Sequence, residues 1–256
     1  MGSTEASRRH TTFTAVAALV GITSVLTTGI AAELNETTDN FIQRVVAETT
    51  RSGIAARATR HLEAGTITGK HRGWMDVETA VSSNGNFTWN VIEEGGSERT
   101  RDKVIRAVLE AETDAWRAGS RDASALSLAN YEFVPISQTK LQLKPKRKDS
   151  KLVDGVLTVN ADGHPVMLEG RLAKSPSFWV RSVTIMKRYT RVGGVSLPVV
   201  IESLADVKMF GKSSFSMRYN YTTVNGRNVG HTASSAPAFG PSRQLLALHA
   251  QLSEGQ

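Results

Sequence analysis

The residues that could do chemistry in this chain are its histidines and carboxylates, because the sequence contains no cysteine. That composition excludes disulfides, thiolate metal sites and cysteine nucleophiles. The histidines show no paired metal-ligand spacing, and the sequence holds neither a Gly-x-Ser-x-Gly elbow nor a phosphate-binding loop. Acid–base pairs could be assembled from several carboxylates, as in any chain of this length. We therefore expect no enzyme, no metal and no cofactor. The residues considered are His10, His61, His71, His164, His231, His249, Asp76, Glu78, Glu169 and Glu202.

A run of five basic residues within eight positions is the densest charge feature of the sequence. One interpretation is a solvated hairpin turn whose lysines keep strand edges from pairing with other chains. The other is contact with lipid head groups or a membrane surface, where each base contributes about 1 kcal/mol near an anionic bilayer. Nucleic-acid binding is not expected, because the run lacks the interleaved aromatic residues that stack on bases. The run consists of Lys144, Lys146, Arg147, Lys148 and Lys151.

The segment Ser175–Trp179 is the second candidate contact site. Pro176 cannot donate to a strand ladder, so one interpretation is a break or an edge in the sheet. The other is a binding lip. Phe178 and Trp179 are neighbours and face opposite ways in an extended chain, so at least one of them lies outside the core.

The elements that must position these residues are mostly strands. Residues 215–221 carry large apolar or aromatic side chains at every second position, which indicates a strand with one packed face. The alternation recurs along 195–201 and at Val183 and Ile185, with glycine turns between the runs. These patterns predict an antiparallel sheet with one apolar face. Further strands are predicted at 62–67, 74–81, 87–92, 131–136, 139–143, 153–159 and 166–172.

Two helices are expected to cover that apolar face. Residues 36–60 begin with an apolar stripe at helical spacing, which fades after residue 50. A second helix begins after Ser97, a suitable N-cap, and ends at Gly119. An amphipathic helix beside a one-sided sheet lays its stripe on the sheet. The stripe of the second helix is Val104, Ile105, Val108, Leu109, Ala115 and Trp116.

The two ends of the chain differ from its middle. A basic start at Arg8 and Arg9, an apolar run and small residues before Glu33 predict a signal peptide over 1–32, with an uncleaved membrane anchor as the alternative. Its removal takes away two arginines and one glutamate and lowers the net charge from +7 to +6. Residues 33–226 form the predicted domain, and 227–256 a disordered tail with a short amphipathic helix as an option at 245–252.

Several segments resemble one protein family. They are Glu94–Leu109, Gly155–Val159, Gly163–Val166 and Arg171–Val180. Together with the order of helices and hairpins, they resemble the lipoprotein-carrier fold of the outer-membrane lipoprotein-sorting proteins LolA and LolB and of the sigma-factor regulator MucB. The resemblance covers residues 37–226. It implies an α+β fold in which a curved antiparallel sheet, an incomplete barrel, is plugged by helices on its concave apolar face. It also implies that the hollow accepts acyl chains, and it carries over no functional residue.

These observations predict an exported, non-catalytic protein of the periplasm or cell envelope. It would carry or sense a lipid, a lipoprotein acyl chain or another apolar ligand in the hollow of the half-barrel. The alternative is an envelope regulator or scaffold with a vestigial cavity, which acts through a protein partner. The candidate cavity residues share strand or helix faces. They are Leu109, Trp116, Val183, Ile185, Leu197, Val199, Phe215, Met217 and Tyr219.

Overall fold

The structure, a computed structural model, describes residues 39–49, 53–119, 125–208, 211–230 and 240–254. Contacts group the chain into two units, Met1–Gln43 and Arg44–Gln256. The first unit is described only at residues 39–43, which are helical. The predicted signal peptide lies outside the described residues. All that follows concerns the second unit.

The second unit is built mostly from strands. They are β1 (Ala56–Thr66), β2 (Gly73–Val81), β3 (Phe87–Gly96), β4 (Tyr131–Ser137), β5 (Lys140–Pro145), β6 (Val153–Val159), β7 (Pro165–Leu172), β8 (Val180–Val192), β9 (Val195–Val207), β10 (Gly211–Val224) and β11 (Arg227–Asn228). The helices are α1 (residues 39–49, of which 44–49 belong to this unit), α2 (Glu98–Thr100), a π-helical stretch (Arg101–Arg106), α3 (Ala107–Arg117) and α4 (Arg243–Glu254).

The strands form one antiparallel sheet in the order β3-β2-β1-β10-β9-β8-β7-β6-β5-β4, and β11 pairs with β10. Strands β4 to β10 follow one another as a meander, and β10 then pairs with β1. The edge strands of this order, β3 and β4, leave the curved sheet open, so it does not close into a barrel. This confirms the predicted α+β fold with a curved antiparallel sheet.

Tight turns set the register of the meander. Val192 pairs with Val195, so Gly193 and Gly194 alone connect β8 to β9. Both glycines have positive φ, at 57° and 84°. A two-residue hairpin turn of this kind needs left-handed backbone at both positions, which glycine adopts without a steric penalty.

The helical segment from α2 to α3 packs on the concave inner face of the sheet. Ser97 caps it, since its Oγ accepts a hydrogen bond from the backbone N–H of Thr100 at 3.4 Å, and Gly119 follows its end with φ 61°. Ile105 and Leu109 are fully buried against side chains of β1, β2 and β10. The predicted helix after Ser97 and its inward stripe are therefore confirmed, except that Val104 is 39% exposed.

Two other predictions need correction. Residues 56–60 belong to β1 and not to a helix, because every second side chain there faces the core. Residues 243–254 form the helix α4 where a disordered tail was predicted, although a helix at 245–252 was the stated option. Leu245 of α4 is buried against Met186 and Leu204 on the outer face of the sheet. The outer face is therefore not wholly exposed to solvent.

Candidate functional site

A cavity of about 190 Å³ lies between the inner face of the sheet and α3. Its wall comes from the four strands β1, β2, β9 and β10, from Ile54 just before β1, and from the helix α3. Most of the lining side chains are apolar. They are Ile54, Ala56, Ala58, Arg60, Thr79, Val81, Glu112, Trp116, Leu197, Pro198, Tyr219 and Tyr221.

Strand alternation explains why these residues meet. Ala58 and Arg60 alternate with outward-facing residues on β1, and Arg60 pairs in register with Tyr219 of β10. Glu112 and Trp116 lie four residues apart on α3, so they share the helix face that covers these strands. The cavity is therefore the part of the inner face that α3 spans without filling.

The main charged group of the cavity is a buried ion pair. The Nη1 of Arg60 donates to Glu112 Oε2 at 2.6 Å, and its Nη2 donates to Glu112 Oε1 at 3.2 Å. The side chain of Arg60 is 6% exposed and that of Glu112 is 28% exposed. The guanidinium also lies over the rings of Phe87 and Tyr219, at 5.1 Å and 4.6 Å from their centroids. Cations are attracted to aromatic faces, most strongly where water is excluded.

Burial sets the protonation of these groups. Burial would lower the pKa of Arg60, but Tyr219 and Glu112 together raise it above its ordinary value, so the guanidinium stays charged. Burial raises the pKa of Tyr219 to about 12, although Arg60 opposes that shift. The pKa of Tyr221 is also raised, chiefly by burial. Both phenols are therefore neutral near neutral pH.

Two hydroxyl groups of the wall donate hydrogen bonds to backbone carbonyl oxygens. Thr79 Oγ1 donates to the carbonyl oxygen of Ala58 at 3.0 Å, and Tyr221 Oη donates to that of Pro198 at 2.9 Å. The Nε of Arg60 makes no hydrogen bond within the described part of the chain, but it is shielded from solvent. The side chain of Glu112 is 28% exposed, whereas Arg60, Thr79, Tyr219 and Tyr221 are buried, so Glu112 is more accessible than these four polar residues.

The structure places three of the nine predicted cavity residues on the wall, namely Trp116, Leu197 and Tyr219. The other six do not line this cavity. Leu109 and Met217 are buried in the core cluster, and Val199 and Phe215 pack against it. Val183 and Ile185 share the inner side of β8 but lie further along the strand.

Sequence reasoning missed the ion pair. Arg60 and Glu112 are 52 positions apart. Only the alternation along β1, with a charged residue among the inward positions Ala58, Leu62 and Ala64, signals that Arg60 faces inward. In a sequence, a charged residue at an inward position indicates equally well that the strand boundary has been placed wrongly.

The basic run lies at the turn after β5 and partly serves the local fold. The Nζ of Lys146 donates to the carbonyl oxygen of Leu128 at 2.7 Å, and Arg147 Nη1 donates to Asn130 Oδ1 at 2.6 Å. Lys144 lies 3.9 Å from Glu132, and Lys148 and Lys151 are exposed. Contact with a membrane surface stays a prediction.

The segment Ser175–Trp179 connects β7 to β8 and interrupts the sheet. Phe178 is 77% exposed and Trp179 is 57% exposed, and their rings meet edge to face at 5.6 Å. The Nζ of Lys208 lies 3.6 Å from the centroid of the Phe178 ring. Both aromatic residues therefore lie outside the core.

The outer face holds a separate polar cluster beneath α4. His249 is buried, with Nδ1 2.8 Å from Thr184 Oγ1 and Nε2 3.2 Å from Asp206 Oδ2. Ser242 donates to the buried Glu202 at 2.6 Å and also caps α4 by accepting from the N–H of Leu245. Burial is the main cause that lowers the pKa of His249.

Two features are absent from the described ranges. Those ranges contain no group of three or more histidines and carboxylates that could hold a metal ion. Nor does any helix within them have the length and apolar character needed to cross a membrane. His231 lies outside the described residues.

Comparison with known proteins gives little. No family model matches the chain, and no curated protein matches it. Among solved structures, the chain is similar to one described as lipid-protein interactions in lipovitellin, at 10% identity and a TM-score of 0.33. The alignment covers 73% of this chain and 26% of the lipovitellin chain, so it spans about a quarter of that protein. A similarity at this TM-score carries no conclusion about ligand or fold.

Proposed function

We propose that this chain is a non-catalytic binding protein that carries or senses an apolar ligand, such as a lipid or an acyl chain. The observation that supports the proposal is the cavity beneath α3. It is lined mainly by apolar side chains, and its charged groups are paired with each other. Small-molecule sites combine an apolar lining with a few fixed polar groups in this way.

The volume of the cavity limits what it can hold. An engineered apolar cavity of about 150 Å³ binds benzene, whereas pockets for drug-sized ligands measure about 300–1,000 Å³. The cavity of about 190 Å³ therefore suits a small apolar molecule or one end of a longer chain. A complete acyl chain would need α3 to move away from the sheet.

The proposal also includes export of the protein and its membership of the lipoprotein-carrier family. The sequence supports a signal peptide over residues 1–32 and location in the periplasm or cell envelope, and its motifs support membership of the lipoprotein-carrier fold. A lipid or a lipoprotein acyl chain is the proposed ligand, and an envelope protein is a proposed partner.

The second candidate function is a regulator or scaffold that acts through protein contacts. One observation favours it. Ile105 and Leu109 are fully buried, so the helical segment fills much of the inner face and leaves only a small cavity. The two functions differ in whether an apolar ligand enters that space.

The test is a titration with a neutral apolar fluorophore, N-phenyl-1-naphthylamine, against two variants of β1. Ala58→Phe adds a ring on the cavity wall. Thr59→Phe adds the same ring on the opposite face, because successive strand residues alternate. We expect wild type and Thr59→Phe to bind the probe and folded Ala58→Phe to bind at least about tenfold more weakly, a difference of about 1.4 kcal/mol. Equal binding by all three, or no binding by wild type, would favour the scaffold.

A further inference from the structure

We infer that the cavity selects apolar ligands that end in a neutral hydrogen-bond donor, such as an alcohol, over ligands that end in a carboxylate. Glu112 is the specificity-determining residue. The inference rests on the proposed binding function and names the chemical class of the ligand. It follows from the way in which the charges of the cavity are already paired.

Little of Arg60 is open to an incoming anion, because its side chain is only 6% exposed. Both terminal nitrogens of Arg60 are held by the two oxygens of Glu112, at 2.6 Å and 3.2 Å. The guanidinium carbon also lies 5.1 Å from the centroid of the Phe87 ring and 4.6 Å from that of the Tyr219 ring. A ligand carboxylate would have to displace Glu112 or sit beside it without a cation of its own. An unpaired charge in a water-poor site is strongly unfavourable.

The carboxylate of Glu112 remains able to accept hydrogen bonds. Each carboxylate oxygen has two acceptor sites, and Arg60 uses one on each oxygen. The side chain of Glu112 is the more exposed partner, at 28% against 6% for Arg60, and it lines the cavity. A ligand hydroxyl can therefore donate to Glu112 while the apolar part of the ligand lies against Ala58, Trp116 and Leu197.

The other ionisable groups around Glu112 do not change this conclusion. Tyr219 and Tyr221 are neutral near neutral pH, because burial raises the pKa of each. Lys187 interacts with Glu112 through space, but it lies beside Leu168 and Ile201 on the inner face and is not part of the cavity wall. Burial lowers its pKa, which favours the uncharged amine.

The experiment compares octan-1-ol, octanoate and octane by calorimetry near neutral pH. Wild type should bind octan-1-ol at least about tenfold more tightly than octanoate, or about 1.4 kcal/mol. Glu112→Gln removes the negative charge but keeps the shape of the side chain, and it leaves Arg60 as an uncompensated cation. This variant should lose the preference or reverse it. Glu110→Gln, an exposed position on the same helix, is the control and should behave as wild type.

A pH series on wild type alone covers the case in which Glu112→Gln does not fold. If Arg60 is fully engaged, octanoate binds as the protonated acid, and its affinity rises as the pH approaches the pKa of the acid. If Arg60 can be reached by an anion, the affinity of octanoate falls over the same range. The second result overturns the inference.

The remaining outcomes separate this inference from the proposed function. If octane binds, and octanoate binds at least as tightly as octan-1-ol, the inference is overturned. The proposal that the cavity binds apolar ligands then still stands. An unchanged preference in folded Glu112→Gln also overturns it. If wild type binds none of the three compounds, both the inference and the binding function fail.

Discussion

At the scale of single residues, Arg60 shows why a charge can lie in an apolar wall. Its planar guanidinium makes two hydrogen bonds to Glu112 and lies over the rings of Phe87 and Tyr219. A lysine carries the same charge but has neither the fork nor the flat faces. The residue type is therefore as important here as the charge.

We expect Arg60→Lys to lower the free energy of unfolding by about 1–3 kcal/mol, because at least one charge-assisted hydrogen bond is lost. Urea unfolding followed by circular dichroism measures the change. Arg57→Lys, at an exposed position of the same strand, is the matched control and should stay within about 0.5 kcal/mol of wild type. Equal stability of Arg60→Lys and Arg57→Lys would show that the paired hydrogen bonds between the Arg60 guanidinium and Glu112 contribute nothing to the free energy of unfolding.

The burial of His249 predicts that the stability of the C-terminal helix α4 depends on pH. Its pKa in the folded protein lies below 6.5, chiefly through burial, and Lys212 and Arg171 lower it while Asp206 opposes the shift. The unfolded chain therefore binds more protons at this side chain than the folded one, so stability falls as the pH is lowered through 6.5 towards the depressed pKa.

The expected outcome is a lower protection factor of the α4 amides below that pH, measured against the intrinsic exchange rate at each pH, while the inner strands stay protected. His249→Gln keeps a polar side chain without the titration and should flatten the profile. A wild-type profile that is already flat across the same range would contradict the assignment.

At the scale of elements, the inner face depends on the helical segment from α2 to α3. Leu109→Ala should lower the free energy of unfolding by about 2–5 kcal/mol, because a fully buried leucine leaves a cavity when truncated. Val104→Ala, at a position that is 39% exposed, should change it by less than about 1 kcal/mol. Denaturant titration of both variants tests the difference, and similar losses would show that the helix packs through another face.

The same segment shows what a sequence pattern can and cannot foresee. Ser97, Gly119 and the inward positions Ile105 and Leu109 follow from local rules of capping and periodicity. Val104 does not, because the stretch Arg101–Arg106 is π-helical and departs from the spacing on which the prediction rests.

Strands were predicted well where one face is apolar, because alternation is a local signal. The run 215–221 is such a case, and β10 contains it. The cavity was foreseen only in part. Trp116, Leu197 and Tyr219 have the right type and period, but the pairing of Arg60 with Glu112 depends on how α3 crosses β1. Periodicity carries no information about such a crossing.

At the scale of the whole second unit, the two faces of the sheet differ in what packs against them. The inner face holds the core cluster and the cavity, and the outer face holds α4 over Met186 and Leu204. The sequence pattern indicates a solvent-exposed outer face because several side chains beneath α4 are polar. They include Thr184, Glu202 and Asp206. Stability is therefore shared by both faces, whereas the proposed ligand cavity lies on the inner one.

Deletion of residues 243–256 tests that division. Removing α4 exposes Met186 and Leu204, which are now buried, and takes away the contacts of Leu245. Each such apolar side chain contributes about 1.5–3 kcal/mol through burial, so exposure of these two should lower the free energy of unfolding by about 3–6 kcal/mol. The affinity for N-phenyl-1-naphthylamine should stay within about twofold of wild type, or about 0.4 kcal/mol, because the cavity wall contains no residue of α4. Loss of probe binding in a folded truncated chain would mean that the two faces are coupled through the sheet.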